Sequence, residues 1–467
     1  MRFNIKSANS QTVFNFISTV IRTGVALITM PMFTKMLGTA QFGKYSLYLS
    51  WFNVLSCIIA LGCGQGIQTG MYAFKDDYKR FRSSILIGGT CMCLITTVVG
   101  IAVFPITSVF FKLPITMYIL LFVESAASFV LGFANMAWIY EKKASANMIV
   151  SSTVVLSATL LSVILVLYWP GNPKNLYMGR ILGIACPNIL IALIVWILIF
   201  REQPAGYVKK YWLYSFAFGI PTLFHTLSHQ VLTSSDRIMM DMFEISESEI
   251  GIYSFFYSFV SMLNIILNAL NSSWVPFLYE DLDKKDYSKL NIRVKNYVQV
   301  FTVLACGFIL LSKEVSQLFS DREFWSGVPI IPYLTIVVYF TFVYQFPVNY
   351  EFFKGKTRII AIGTIFAAVE NIILNCIMIP SMGMYGAAIA TLISYLTLAI
   401  IHTVIVNVWK EERYPLNSAP VFIGLLIVMF MCVINYLLID QWIIRWALGA
   451  AIGIYLVLSV KKRKSIF

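Results

Sequence analysis

The chain has 467 residues, of which 59% are hydrophobic and only 12% are charged, and its mean hydropathy is +0.78. Soluble domains carry about 25% charged residues, so this composition excludes an ordinary soluble globular protein. The net charge of +13 could suit a nucleic-acid-binding protein, but the basic residues fall in the short segments between apolar runs. We therefore predict a membrane protein with no nucleic-acid partner.

Apolar runs of about 20 residues predict an all-α, polytopic integral membrane protein with about 14 transmembrane helices. In chain order the predicted spans are 12–33, 44–66, 84–108, 116–138, 148–168, 177–199, 213–234, 252–275, 295–318, 328–350, 358–379, 384–407, 420–438 and 442–460.

The distribution of basic residues orients these spans. With the N-terminus inside, 25 of the 35 basic residues lie in cytoplasmic segments and nine lie outside, while Arg22 is within a span. One span more or fewer would invert every later loop, so the positive-inside rule favours 14 spans with both termini cytoplasmic. Two charged stretches, "DDYKRF" and "EDLDKKD", fall in cytoplasmic loops and are predicted to be solvated.

An internal repeat divides the chain. The stretch "FGKYSLYLSW" (42–51) matches "IGIYSFFYSF" (250–259) at an offset of 208. Pro170 and Pro380 are 210 positions apart. These offsets predict two pseudo-symmetric six-helix lobes around a central cavity, at 1–210 and 211–412, with two further helices in 413–467.

Polar residues inside the spans are the candidate functional residues, because an ionisable group at the bilayer centre costs at least ~2.5–3.5 kcal/mol. Arg22 lies about 16–20 Å of helix from Gln11 and Lys35. We expect it either to contact an anion or to pair with Glu124 or Glu370.

The other polar residues form stripes, which either bond neighbouring helices or line a cavity. Stripes on spans 2 and 4, which include Asn53, Ser56 and Ser128, leave both readings open. The candidates for substrate binding are Arg22, Asn53, Asn264, Asn268 and Asn271, and those for ion coupling are Glu124, His225, His229, Asp236 and Glu370. We interpret His402 as a packing residue. Cys91-Met-Cys93 lacks metal-ligand spacing, and no metal or other cofactor is predicted.

Three segments carry a family resemblance. The stretch 356–395 has an Asn-rich helix, a Pro-Gly turn and Gly-Ala-Ala-x-Ala-Thr, at Asn371, Asn375, Pro380, Gly383, Gly386, Ala387, Ala388, Ala390 and Thr391. The N-terminal pattern lies at Pro31, Lys35, Leu37, Gly38, Gly43, Tyr45 and Ser46, and a third at Asp236, Arg237, Gly251 and Tyr253. The chain resembles the multidrug/oligosaccharidyl-lipid/polysaccharide (MOP) exporter superfamily, most of all its Wzx-type O-antigen and capsule flippases.

The resemblance implies a flippase that moves an undecaprenyl-pyrophosphate-linked oligosaccharide across the bacterial cytoplasmic membrane by alternating access, coupled to H⁺ or Na⁺. It implies that Arg22 contacts the pyrophosphate and adds Lys35 as a substrate contact, although the family usually has Arg there. The implied partners are membrane lipids, a polysaccharide polymerase and a chain-length regulator.

Two alternatives stay open. One is a drug/cation antiporter of the same superfamily, although such antiporters tend to present acidic sites and usually have 12 spans. The other is a membrane polysaccharide polymerase or glycosyltransferase, but no long external loop, Asp-x-Asp motif or phosphate loop is found in the sequence. The sequence does not identify the sugar, the coupling ion or the oligomeric state.

Overall fold

The computed structural model describes residues 8–408, 414–463 and 465–467, and within these ranges every regular element is helical. The α-helices are α1 Ala8–Ile58, α2 Ile67–Ala73, α3 Tyr78–Ala102, α4 Phe104–Phe111, α5 Ile115–Tyr140, α6 Ala144–Leu167, α7 Leu176–Glu202, α8 Lys209–Met242, α9 Glu247–Val260, α10 Met262–Asp283, α11 Tyr287–Leu318, α12 Ile331–Phe353, α13 Thr357–Met382, α14 Met384–Val408, α15 Ala419–Leu437 and α16 Trp442–Arg463. Short 3₁₀ helices lie at Lys75–Asp77, Pro173–Asn175 and Arg322–Ile330.

Some predictions fall outside the described residues. The charge count used Arg2, Lys6, Lys410, Arg413 and Lys464, which lie there, as does the predicted boundary between 412 and 413.

Twelve segments of the described chain are long and apolar enough to cross a membrane. The all-α, multi-pass prediction is therefore confirmed. Two features account for the difference from 14 predicted spans. The first span found, Val13–Ile58, covers predicted spans 1 and 2 together, and α8, the predicted span 7, is not among the twelve. Although α8 is 34 residues long, its many polar residues lower its hydropathy.

Helix α1 is 51 residues long and is broken at Gly38, where φ is 67° and ψ is 177°. At ~1.5 Å per residue it would measure ~77 Å, far more than the ~30 Å hydrocarbon core. This combination of a positive φ with a ψ near 180° is essentially confined to glycine. The predicted loop over 34–43 is therefore wrong: helix continues through this stretch on both sides of the single non-helical residue.

The chain folds as two compact units, Met1–Ile250 and Gly251–Phe467. In the first, α6 packs on α7, α5 packs on α7, and α1 packs on α6 and α8. In the second, α13 packs on α14, α12 packs on α14, and α11 packs on α15 and α16. The trio α5–α6–α7 and the trio α12–α13–α14 thus share two pairings. The predicted lobe limits at 210/211 and 412/413 stay predictions.

A glycine allows close helix approach in the α6–α7 pair and in the corresponding α13–α14 pair. A Cβ on Gly179 of α7 would lie 3.0 Å from the Leu165 carbonyl oxygen of α6. A Cβ on Gly386 of α14 would lie 2.3 Å from the Met378 carbonyl oxygen of α13. The two glycines are 207 positions apart, close to the offset of the sequence repeat.

The predicted solvated stretch "EDLDKKD" is partly wrong. Helix α10 continues to Asp283 and α11 begins at Tyr287, so only three residues connect them. Asp281 is 1% exposed and accepts a 2.7 Å hydrogen bond from Arg293. Pairing with Arg293 allows this carboxylate to be buried, since a buried charge needs a partner.

Candidate functional site

Arg22 lies in the middle of the first segment of α1, between Ala8 and the break at Gly38. Its side chain is exposed, and it makes no hydrogen bond or ion pair with any residue of the described ranges. The two carboxylates weighed as its partners bond elsewhere, as the next paragraphs show. The structure therefore leaves an accessible, permanent cation at mid-helix.

Glu124 lies on α5 and is 3% exposed. The Tyr48 hydroxyl on the second segment of α1 donates to its Oε2 at 2.8 Å, and the Asn188 amide on α7 donates to its Oε1 at 3.3 Å. The carboxylate joins three helices of the first compact unit. Sequence reasoning missed Asn188, although a lone Asn in the apolar run of α7 was a usable signal.

The three candidates on α8 have different surroundings. His225 is half-buried, and its buried Nδ1 has no hydrogen-bond partner among the described residues. His229 is exposed, and Asp236 is fully buried. Their spacing of four and eleven residues spreads them over ~16 Å of helix, so they do not form one cluster.

The Asn row of the second unit begins just after the interruption between α9 and α10 at Ser261. Asn264 is half-buried and Asn268 is exposed. Asn271 is half-buried and accepts a 3.0 Å hydrogen bond from Asn349 of α12. Within this row, Asn271 therefore bonds a neighbouring helix, and the Asn268 amide is accessible.

Glu370 on α13 accepts a 3.0 Å hydrogen bond at Oε1 from the Thr397 hydroxyl of α14. Its Oε2 is buried and has no hydrogen-bond partner within the described ranges. A carboxyl group with one satisfied and one unsatisfied oxygen can take up a proton or a small cation.

The two remaining substrate-binding candidates flank the break in α1. Lys35 is exposed three residues before Gly38, and Asn53 is half-buried on the second segment. The Asn53 carbonyl accepts a weak hydrogen bond from the Cys57 thiol at 3.4 Å.

His402 has a partner that the sequence did not reveal. Its Nδ1 lies 2.8 and 2.9 Å from the two carboxylate oxygens of Glu351 on α12, and both side chains are fully buried. A Cβ on Gly363 would lie 2.7 Å from His402 Nε2, so glycine makes room for the ring. One ring nitrogen of His402 is paired in this way, while its buried Nε2 has no hydrogen-bond partner within the described ranges. The sequence missed Glu351 because it was assigned to the region of a cytoplasmic loop.

Within the described ranges, no group of three or more His, Cys, Asp or Glu side chains is placed to hold a metal ion. The candidates of the first compact unit thus include two exposed cations, Arg22 and Lys35, and the candidates of the second unit are the Asn row and Glu370.

The fold is that of the MOP exporters, a class of multi-pass membrane transporters. The structure titled "Lipid II flippase MurJ, inward closed conformation" superposes with a TM-score of 0.73 at 16% identity, covering 97% of this chain and 99% of that one. An inward-facing multidrug resistance MATE family transporter of the MOP superfamily gives 0.60 at 16% identity, covering 83% and 96%.

The chain belongs to the family described as "Polysaccharide biosynthesis protein", whose family profile matches residues 10–281. The resemblance drawn from the sequence motifs is therefore confirmed. The family and the fold make the chain a multi-pass membrane protein of polysaccharide biosynthesis.

Curated relatives match parts of the chain at a higher sequence identity than these two structures. "Uncharacterized membrane protein" of Haemophilus influenzae is 28% identical over 229 residues, which are 47% of this chain and 54% of that protein. "Probable flippase AglR" of Haloferax volcanii is 28% identical over 220 residues, 44% of this chain and 45% of that protein. The matches span about half the length of these two relatives.

Proposed function

We propose that the protein is a flippase that moves an undecaprenyl-pyrophosphate-linked oligosaccharide repeat unit of an O-antigen, capsule or exopolysaccharide from the cytoplasmic to the outer leaflet. The family, the MOP fold and the flippase relative support this class of substrate. The observation that carries the proposal is the accessible guanidinium of Arg22 at mid-helix.

The physical case rests on the cost of moving a polar headgroup through hydrocarbon. Each unpaired polar group costs several kcal/mol there. An exposed guanidinium is equally unfavourable against lipid. Both costs fall when the two groups meet, because guanidinium presents paired donors that match phosphate oxygens. The lipid tail stays in the bilayer while the headgroup crosses.

The proposed roles extend to the other candidates. Arg22 and Lys35 contact the pyrophosphate, and Asn53, Asn264, Asn268 and Asn271 bind sugar hydroxyls. Glu124, His225, His229, Asp236 and Glu370 are the residues through which H⁺ or Na⁺ is coupled. An alternating-access cycle opens the substrate site first to one face of the membrane and then to the other.

The proposed topology has 14 spans, counting the broken α1 as two and adding α8 to the other eleven segments found. It places both termini in the cytoplasm of a bacterial cell, with lobes at 1–210 and 211–412 and an appendage at 413–467. A polysaccharide polymerase and a chain-length regulator are the proposed protein partners.

The test is complementation of a strain that lacks the gene, with surface polysaccharide as the readout. We expect Arg22→Ala to abolish surface polysaccharide while the protein still inserts, and Arg22→Lys to retain part of the activity because a point charge still attracts phosphate. Lys284→Ala is the control, since Lys284 is an exposed cation paired only on the surface. Full activity of Arg22→Ala would refute the role of this residue.

The antiporter alternative is separated by a second assay. Expression in a drug-sensitised strain should leave the susceptibility to cationic drugs unchanged if the substrate is a lipid-linked anion. Drug resistance without restored polysaccharide would favour the antiporter.

A further inference from the structure

The second segment of α1 unwinds inside its predicted span. The helix ends at Ile58 and α2 begins at Ile67, so residues 59–66 form consecutive turns. Leu61 and Gly62 have positive φ values of 47° and 73°. At membrane depth, irregular backbone is tolerated only where it is buried in protein or lines a cavity, and broken helices commonly build substrate sites.

The unwound segment faces α5 across a cavity of about 190 Å³ within the first compact unit. Its lining includes Gly62, Gly64 and Gln65 from the turns, Ser56 from the end of α1, and Ser128 with Phe129 from α5. Pockets for drug-sized ligands measure ~300–1,000 Å³. This cavity therefore has the size for one ring of a larger molecule.

Glycines keep the cavity open. Gly132 of α5 also lines it, and a Cβ built there would have no atom within 4 Å. Gly62 lies against the backbone of Gly219 on α8, where a Cβ would be 2.6 Å from the Gly219 carbonyl oxygen. The close backbone contact fixes one wall, and the missing side chain at Gly132 leaves the opposite side free.

The polar groups of the lining have unused hydrogen-bonding capacity. Gln65 and Ser128 are half-buried, and their side chains make no hydrogen bond within the described part of the chain. The Ser56 hydroxyl donates to the Phe52 carbonyl at 2.6 Å and keeps its acceptor lone pairs. Unpaired amide and hydroxyl groups are costly against lipid, so the cavity suits water or a polar ligand.

An aromatic surface completes the lining. The rings of Phe129 and Phe133 lie 5.8 Å apart, and a Cβ on Gly64 would lie 3.1 Å from the Phe129 edge. On its other side Phe129 fills the space above Gly89, where a Cβ would be 2.0 Å from the ring. The ring is therefore held in place between Gly64 of the unwound segment and Gly89 of α3.

We propose that this cavity binds one sugar ring of the lipid-linked oligosaccharide and so helps to select the substrate. A pyranose has an apolar C–H face and a rim of hydroxyls, which match a fixed aromatic surface beside a free amide and hydroxyl groups. The proposal rests on the flippase function proposed above and assigns a different part of the substrate from the pyrophosphate given to Arg22.

The test fills the cavity without disturbing its walls. Gly132→Leu places a side chain into open space, so the variant is expected to fold and insert like the wild type. Gly307→Leu on α11 is the matched control, because a Cβ there also meets nothing within 4 Å and Gly307 does not line the cavity. Gly132→Ala, which adds only one methyl group, should retain most binding.

Binding is measured on purified protein in nanodiscs with two probes. The first is the lipid-linked oligosaccharide extracted from cells that lack the transporter, and the second is undecaprenyl pyrophosphate without sugar. We expect Gly132→Leu to weaken binding of the first about tenfold or more and to leave the second within about twofold. Gly307→Leu should bind both probes like the wild type, and Gly132→Ala should retain most binding of both.

The outcomes separate this inference from the proposed function. Wild-type protein that neither binds the first probe nor restores surface polysaccharide would overturn both. Wild-type activity together with unchanged binding by Gly132→Leu would overturn only the sugar pocket. Equal weakening of both probes would also overturn it, since the cavity would then act on the lipid or the pyrophosphate.

Discussion

Arg82 of α3 is expected to hold the first compact unit together through buried charge. Its side chain is fully buried and donates from Nη1 to Glu141 and from Nη2 to Glu202 at 2.9 Å. Lys143 lies 2.7 Å from the second oxygen of Glu141 and 3.6 Å from Glu202. Lys79 is a third cation, 3.8 Å from Glu202, so three cations surround two carboxylates where α3, the end of α5 and α7 meet.

The variant Arg82→Met removes the charge and keeps most of the side-chain volume. Removing one partner of a fully buried pair costs ~3–5 kcal/mol, because the remaining charge is left without compensation. Glu202 is 35% exposed, so water screens its share, and Lys143 still neutralises part of Glu141. We therefore expect the free energy of unfolding to fall by ~2–4 kcal/mol.

The assay is denaturant unfolding in detergent, followed with a thiol-reactive dye. Cys63 and Cys93 are 0% and 3% exposed in the same unit and become reactive when it opens. The double variant Arg82→Met/Glu141→Gln should recover part of the loss by removing an uncompensated carboxylate. The exposed-pair control Lys284→Ala should show no measurable change. An Arg82→Met protein within ~0.5 kcal/mol of the wild type would refute the reasoning.

Two further predictions concern the second compact unit. Gly386→Val should prevent stable packing of α14 on α13, because its Cβ would lie 2.3 Å from the Met378 carbonyl oxygen. Gly307→Ala is the control: a Cβ there meets no atom within 4 Å, so the substitution should be neutral or should stabilise the protein by up to ~1 kcal/mol. Both are compared by thermal unfolding, and a stable Gly386→Val protein would contradict the contact. Glu351→Ala should cost ~1–3 kcal/mol by leaving His402 Nδ1 without an acceptor, and a double-mutant cycle with His402→Ala that shows no coupling would exclude the pair.

The sequence was sufficient to predict the class of fold, because hydropathy is a property of residues that are neighbours along the chain. Most apolar runs of the predicted length became helices with ends within a few residues of the prediction, although the run 44–66 is helical only to Ile58 before the turns at 59–66. The differences from the prediction occur at features that local hydropathy does not show. The break at Gly38 involves a single residue, which is too short to change the hydropathy pattern. Helix α8 is continuous, but its polar residues lower its hydropathy, so it is not among the twelve segments.

The sequence also pointed to the residue types of the site without showing which of them meet. Arg22 and Glu124 both carry ionisable groups whose insertion into lipid costs free energy, so an ion pair between them was one hypothesis. The structure instead bonds Glu124 to Tyr48, 76 residues away, and leaves Arg22 without a partner among the described residues. The stripes on spans 2 and 4 were open between bonding and cavity lining, and Ser56 and Ser128 turn out to line a cavity.

The sequence by itself determined that this is a helical, multi-pass membrane protein, because burial in lipid depends on residues that are neighbours along the chain. Tertiary structure alone decided which charges are buried and which stay accessible. Arg82 meets Glu141 at a separation of 59 residues, and His402 meets Glu351 at 51. Such pairings depend on how helices pack, and helix packing is set by the shapes of whole surfaces rather than by any local pattern.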